Sequence, residues 1–461
     1  MHHKNEKLRV LTYESNNRSF FYDVYSGIFA EASPIFNKAI TFMNTHTKED
    51  TLFLLSKEYD SERVTRLLNN LDNIYKEVKD SRKSLNRASG LFAAKNLWLN
   101  VVHDCNMNCI YCFADGGRYK NKKMYMSIDM AKKCIDYWRK NIGDYKKLQV
   151  YFFGGEPFLN QETIKYSIDY INHLFRKTDK KIVYNITTNG TIYDDDFVKM
   201  LASNNVVLSL SIDGTPEIHD CQRRFVSGKG SYKIIAKNIE RFRKYYKELN
   251  GNLVVTKKSV SHLKESVEHL WEMGCQNVTF FISITEDKTL SFTSEELDDL
   301  FYQIHQINLA TLENILQYKS EVCGNTLAIC KKMHKNAIQS GCAFQNNMSI
   351  VFGPDGTIYK CYELLGEREF VLGHVDNAKS WESICKEFLE PIEKRECNNC
   401  WALRLCNGGC AYDSYINNRN INKPYDISCA LVKYLIKEAV QMYSELYIHM
   451  PESLDKIFQS S

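Results

Sequence analysis

Three thiols fall within eight positions of this chain, at Cys105, Cys109 and Cys112 in the stretch HDCNMNCIYC. They cannot all pair as disulfides. Zinc takes four protein ligands in a closed site, and no histidine follows Cys112 at a usable spacing, since His103 lies ahead of the first cysteine. Three thiolates suit a [4Fe–4S] cluster with one iron left without a protein ligand, open to a small molecule. More cysteines gather further on. Cys342 is followed after thirteen residues by Gly356 and after four more by Cys361, and then come Cys397-x2-Cys400-x5-Cys406-x3-Cys410 and a distal Cys429. The four closely spaced ones have the count of a zinc knot, but the preceding pair and the distal cysteine favour iron and sulfide. Other polar groups of interest are Gly154-Gly155-Glu156-Pro157, Thr188-Asn189-Gly190, Ser211-Ile212-Asp213-Gly214, and His219-Asp220 with Arg223. Each of these in isolation reads as a turn or a helix cap.

What positions them is an alternation of strands and helices. From about residue 95, apolar runs at 97–103, 148–153, 181–188, 206–212, 253–257 and 278–284 read as strands, with amphipathic helices between them. That order implies a parallel sheet with crossover helices, and six units make a partial (β/α)6 TIM barrel rather than a closed one. In such folds the chemistry lies beyond the carboxyl ends of the strands, where the cysteine loop and the next three polar motifs all fall. Ahead of this, LRVLTYE and FFYDVYSGIF flank ESNNRS as a hairpin, Ser33-Pro34 opens a helix, and two more helical stretches follow. We therefore divide the α/β chain into a winged-helix-like module over 1–80, a linker at 79–93, the partial barrel over 95–320 and a cysteine-rich part over 321–461 that ends in a helix at 430–447.

The bulk properties exclude several classes. Sixty basic against 56 acidic residues leave a net charge of +4, too balanced to argue for nucleic acid or a membrane surface. No stretch approaches the roughly 18 apolar residues of a membrane span. MHHKNEKLRV has no apolar run of the export type, so the sixteen cysteines are expected in a reducing cytoplasm, where clustered thiols bind metal or act in catalysis. Cys134, Cys221, Cys275 and Cys385 read as isolated small hydrophobes.

Cys105-x3-Cys109-x-Tyr111-Cys112 resembles the signature of the radical S-adenosylmethionine enzymes. The resemblance implies that the open iron chelates S-adenosylmethionine and that its reductive cleavage gives a 5′-deoxyadenosyl radical. It places Tyr111 against the adenine and Gly154, Gly155, Glu156 and Pro157 at the methionine amino group. Asn189, Ser211 and Asp213 fall along the methionine and ribose, and Arg223 at the carboxylate. The second cysteine series resembles the SPASM extension of peptide maturases in this family, which implies two auxiliary [4Fe–4S] clusters. By that likeness Cys397, Cys400, Cys406 and Cys429 hold one, and Cys342, Cys361 and Cys410 the other. The fourth ligand of the latter is open: some relatives have a cysteine where Asn336 stands here, Cys330 or Cys323 are alternatives, and in thioether-forming relatives a substrate thiolate binds. The front module, with its DVYSG turn, resembles the precursor-recognition (RRE) domain that takes a leader peptide as an added edge strand. Together these features are similar to thioether-forming maturases of the SCIFF or ranthipeptide type. They imply a ribosomally made precursor peptide as partner and an external flavodoxin or ferredoxin as electron donor. The alternatives are carbon–carbon or carbon–oxygen crosslinking, sulfatase-type oxidation, a non-catalytic iron–sulfur protein, and a nucleic-acid-binding regulator.

Overall fold

The computed structural model describes residues 10–71, 92–336, 342–387, 397 and 400–459. The expected linker lies outside them except for Phe92 and Ala93, as does the end of the third front helix.

Strands β1 (Val10–Ser15), β2 (Arg18–Asp23) and β3 (Phe29–Ala32) form an antiparallel sheet with β2 in the middle. Asn16 and Asn17 both take positive φ, 50° and 59°, the two-residue turn whose twist matches a hairpin. Alternation gives the sheet two apolar faces. Val10 and Phe21 point toward helices α1 (Pro34–Thr45), α2 (Lys48–Leu55) and α3 (residues 61–71). Ser33 occupies the N-cap of α1 without a side-chain bond, so Pro34 at the first helical position is what fixes this start. Leu11, Tyr13, Phe20 and Tyr22 face the other way, into the main body. There the long helix Asp426–His449 receives them: Tyr13 Oη donates to Glu445 Oε1 at 2.9 Å, and Phe29 meets Tyr443 edge-on at 4.7 Å.

Among the described residues the main sheet has eleven strands. Its parallel heart is β4 (Asn96–His103), β6 (Lys147–Gly154), β7 (Lys181–Thr188), β8 (Val207–Ser211), β9 (Leu249–Val255) and β10 (Cys275–Ile282), with the two-residue β5 (Met124–Tyr125) paired antiparallel to β4. Neighbours in this heart run parallel throughout, as alternation with helices requires. Two strands start earlier than apolar content suggests. β9 begins in LNG rather than at Leu253, because pairing with β8 and β10 on both sides satisfies its backbone whatever the side chains. β10 likewise begins at Cys275 and ends at Ile282.

The cysteine-rich part adds to this same sheet at both ends. β11 (Val322–Cys323) pairs with β10, and β12 (Ser349–Phe352) pairs parallel with β4, leading on to β13 (Thr357–Tyr359) and β14 (Gly373–His374). An open sheet leaves unpaired edges, and these additions cover them. No helix among the described residues is long and apolar enough to cross a membrane.

Candidate functional site

One cavity of about 730 Å³ opens on the sheet, and Trp98 of β4, Phe153 of β6, Thr187 of β7, Ser211 of β8, Val254 of β9 and Ile282 of β10 all line it. Six successive strands facing one hollow is the property of a curved, partial barrel. Cys105, Cys109 and Cys112 lie in its wall, in the loop that leaves β4.

That loop is held by close backbone contact. A Cβ on Gly155 would stand 2.2 Å from Asp104 O and 2.8 Å from Gly117 Cα, so the segment after β6 can touch the loop only as glycine. Gly154, at φ 154°, ends β6, and its carbonyl accepts from Tyr119 Oη at 3.1 Å. Asn189 Nδ2 reaches Asn106 Oδ1 at 2.9 Å and Cys105 Sγ at 3.8 Å. Burial pushes the Cys105 thiol up to about 12 and the Cys109 thiol up to about 11, the latter partly offset by the Arg223 guanidinium. Thiolates in such a place need a cation to bind, which is what iron provides. Among the described residues, no three or more His, Cys, Asp or Glu side chains are arranged for a single metal ion.

Glu156 is 1 % exposed, and its carboxylate ties the ends of β6 and β7 together. Oε1 accepts from Phe158 N at 2.9 Å and Thr188 Oγ1 at 2.7 Å, while Oε2 accepts from Asn189 N at 2.7 Å. Burial raises its pKa and these bonds oppose the rise. With about four acceptor positions on a carboxylate, one on Oε2 remains for a cation entering the cavity. Arg223 also lines the cavity; its Nη1 donates to Tyr111 Oη at 2.6 Å, and its Nε is buried without a partner. An orphaned guanidinium donor and a spare carboxylate acceptor in one wall fit the carboxylate and ammonium of an amino acid. The residues present thus fit the cofactor that the motifs imply.

Two of the expected contacts are placed differently. Asp213 and Pro157 are buried behind the cavity wall rather than in it. Asp213 accepts from Tyr111 Oη at 2.6 Å, Gln222 Nε2 at 3.1 Å and Val254 N at 3.1 Å, with Arg223 at 4.0 Å, so it orients Tyr111 and Arg223 instead of reaching a ligand. Pro157 starts the turn Pro157–Asn160. Asp220 proves to be a helix cap: its Oδ1 accepts from Ser231 N and Tyr232 N at 2.8 and 2.9 Å, where the helix Tyr232–Phe242 begins. Ser211 does line the cavity, as does Asn189.

The second cysteine series separates into two groups. Cys406 and Cys429 both lie within electrostatic reach of Cys397 and Cys400, and Cys429 within reach of Cys406 as well. Cys342, Cys361 and Cys410 form the other group, and Cys410 shares the wall of the cavity with the Cys105 loop. Neither alternative fourth ligand joins them. Cys330 is buried in the main core with its Sγ directed to Ala439 O at 3.4 Å, and Cys323 Sγ is directed to Asn325 Oδ1. Asn336, for its part, accepts from Arg404. Of the four cysteines read as isolated, Cys134, Cys275 and Cys385 are fully buried; Cys221 is exposed.

Sequence reading passed over three features here. Glu363 enters the cavity two residues after Cys361, its Oε2 3.8 Å from Cys410 Sγ, and burial with nearby Asp413 pushes its pKa up to about 8. Trp98 is sandwiched between Tyr151 at 4.0 Å and Tyr362 at 4.5 Å, joining the barrel to the Cys361 segment. Lys360 is buried. Only the adjacency of Lys360, Tyr362 and Glu363 to Cys361 marks them in the sequence.

Comparison with known proteins agrees with this geometry. The Radical SAM superfamily matches residues 99–282. An uncharacterised protein of Methanocaldococcus jannaschii is 33 % identical over 213 residues, covering 46 % of this chain and 71 % of that one. A cysteine-type anaerobic sulfatase-maturating enzyme of Clostridium novyi is 23 % identical, over 67 % of this chain and 85 % of that enzyme. Among solved structures, anSMEcpe with bound AdoMet superposes with a TM-score of 0.66 at 19 % identity, covering 79 % of this chain and 98 % of that one. Streptococcus suis SuiB bound to the precursor peptide SuiA gives a TM-score of 0.52 at 16 % identity, covering 91 % of this chain and 98 % of that one.

Proposed function

From the premise that this chain belongs to the radical SAM superfamily, we propose that it matures a ribosomally made precursor peptide by forming thioether crosslinks between cysteine sulfur and an unactivated carbon. One observation carries the reading: Cys410 and Glu363 of the second cysteine series stand in the wall of the same cavity as Cys105, Cys109 and Cys112. A substrate side chain in that cavity lies between both sets of thiols.

Cys105, Cys109 and Cys112 would hold a [4Fe–4S] cluster, and S-adenosylmethionine bound to it supplies hydrogen-abstracting, one-electron chemistry. The Nε of Arg223 is the donor for the cofactor carboxylate, and the spare acceptor of Glu156 is the partner for its ammonium. Asp213 keeps Tyr111 and Arg223 in place from behind. Cys397, Cys400, Cys406 and Cys429 would hold one auxiliary [4Fe–4S] cluster. Cys342, Cys361 and Cys410 would hold the other, one thiolate short, beside the position where a substrate cysteine enters. Apolar side chains such as Phe153 and Phe281 close the remaining wall and limit competing reactions with water.

The front sheet supplies a place for the leader. β1 and β3 are its two edges, and an extended peptide can pair with one of them while the sheet's faces stay packed. The match to SuiB, which spans 91 % of this chain against 79 % for anSMEcpe, supports a precursor peptide as substrate. A flavodoxin or ferredoxin in the reducing cytoplasm would supply electrons.

The likeness to the Clostridium novyi enzyme favours a second reading, oxidation of a sulfatase cysteine. Co-expression with the short cysteine-rich peptide encoded nearest the gene, followed by mass spectrometry, separates the two. Thioether formation removes two hydrogens per crosslink and leaves the thiol closed to alkylation. An aldehyde at the cysteine position would establish the second reading instead. Cys105→Ala must abolish either change.

A further inference from the structure

Lys360 sits directly before Cys361, at the end of β13, and is 2 % exposed. Lysine is almost never so buried unless it is paired with an anion. Its Nζ donates to Phe344 O at 3.2 Å and to Asn347 Oδ1 at 2.5 Å, both neutral acceptors, and among the described residues it forms no ion pair with a carboxylate. Both acceptors belong to the short stretch that begins at Cys342, and Trp381 Nε1 holds the same stretch through Asn347 O at 2.7 Å. The ammonium therefore joins the Cys342 segment to the Cys361 segment from inside the protein, within electrostatic reach first of Cys385, which burial pushes up to about 11 and so keeps a neutral thiol, and then of Cys342.

A buried cation without a buried anion is costly, and evolution of such a site needs a compensating negative charge. The reading above supplies one. Three thiolates more than offset the charge of an oxidised [4Fe–4S] core, so a cluster on Cys342, Cys361 and Cys410 is anionic, and each reduction adds another negative charge. We propose that Lys360 is the built-in counter-charge of this auxiliary cluster, raising its reduction potential and fixing Cys342 against Cys361. Net charge near a cluster is one of the levers that set its potential. Lys360 is a positioning residue in this role, since it reaches the cluster through its ligands' segments and through its field. The proposal rests on Cys342, Cys361 and Cys410 holding a cluster, and its test reports on that separately.

The test is redox titration followed by electron paramagnetic resonance on the full-length, reconstituted protein, with iron counted per chain. The signal that Cys361→Ala removes identifies the cluster. If the unaltered chain has no such signal, the cluster assignment fails and overturns the proposal with it. With the signal present, Lys360→Met should shift the reduced-to-oxidised ratio at fixed potential about tenfold toward oxidised, a fall of about 59 mV for one electron. Lys360→Arg, which keeps the charge, should stay within twofold of the parent. Loss of the signal in the methionine variant with retention in the arginine variant would also follow charge. A methionine variant within twofold of the parent, or methionine and arginine variants that shift or lose the signal alike, would overturn the proposal.

Discussion

At the scale of single residues, the cavity wall depends on side chains that hold other side chains. Tyr111 Oη donates to Asp213 and accepts from Arg223, so one hydroxyl joins the cysteine loop to the ends of two later elements. Tyr111→Phe leaves a buried guanidinium and carboxylate each short of a partner. We expect a loss of about 1–3 kcal/mol in urea unfolding of the iron-free chain, the range for unpairing buried polar groups. S-adenosylmethionine binding, followed by equilibrium dialysis with the reconstituted protein, should weaken severalfold. Asp213→Asn should weaken it as well, through the altered placement of Arg223, and binding unchanged in both variants would show that the network is only structural. These residues were legible as motif members. Their division between wall and support was not, because Asp213 and Ser211 differ in burial and the motif does not encode burial.

At the scale of elements, two contacts can be tested by size alone. Gly155→Ala places a methyl group against Asp104 O and Gly117, and backbone on both sides cannot yield as a flexible side chain would. The expected outcome is a chain that keeps its circular dichroism but binds about four fewer irons, since the loop carrying Cys105 is displaced while the sheet's register is set elsewhere. Phe29→Ala removes a half-buried ring from Tyr443 and Tyr447. Partial burial puts the cost below the 3–5 kcal/mol of a core phenylalanine, about 1–3 kcal/mol. Limited proteolysis should then release the front module faster while the barrel fragment survives; an unchanged digestion pattern would mean that other contacts hold the module. Element type was readable from the periods of apolar residues, as the two-faced β2 shows. Strand limits were less so: β9 starts in a glycine- and asparagine-bearing stretch because both neighbours offer it hydrogen bonds.

The whole molecule responds to pH through histidines it buries as neutral rings. Burial lowers the pKa of His103 to about 4 and that of His219 to about 2. In the unfolded chain both return to about 6.5, so below that pH the unfolded state binds more protons and stability falls with pH. Each contributes a slope of up to about 1.4 kcal/mol per pH unit, from about 6.5 down to about 4 for His103 and further for His219. Denaturant midpoints of the iron-free chain at pH 7, 6 and 5 should therefore decline, and His219→Gln should make the decline shallower by one proton's worth. Equal slopes in the two proteins would place the acid sensitivity elsewhere.

By itself the sequence determined the order of elements, the two cysteine-rich stretches and the polar motifs that follow three successive strands. Those follow from local spacing: a period of two or 3.6, a glycine where chain meets chain, thiols a few residues apart. The tertiary structure decided what stands opposite what. It put Cys410 and Glu363 in one cavity with Cys105, sent Cys330 and Cys323 into the core, and closed both sheet edges with strands from the cysteine-rich part. The same packing buried Lys360 against two neutral acceptors. Burial and long-range juxtaposition depend on how the sheet curves and what packs against it, and no local run of residues carries that information.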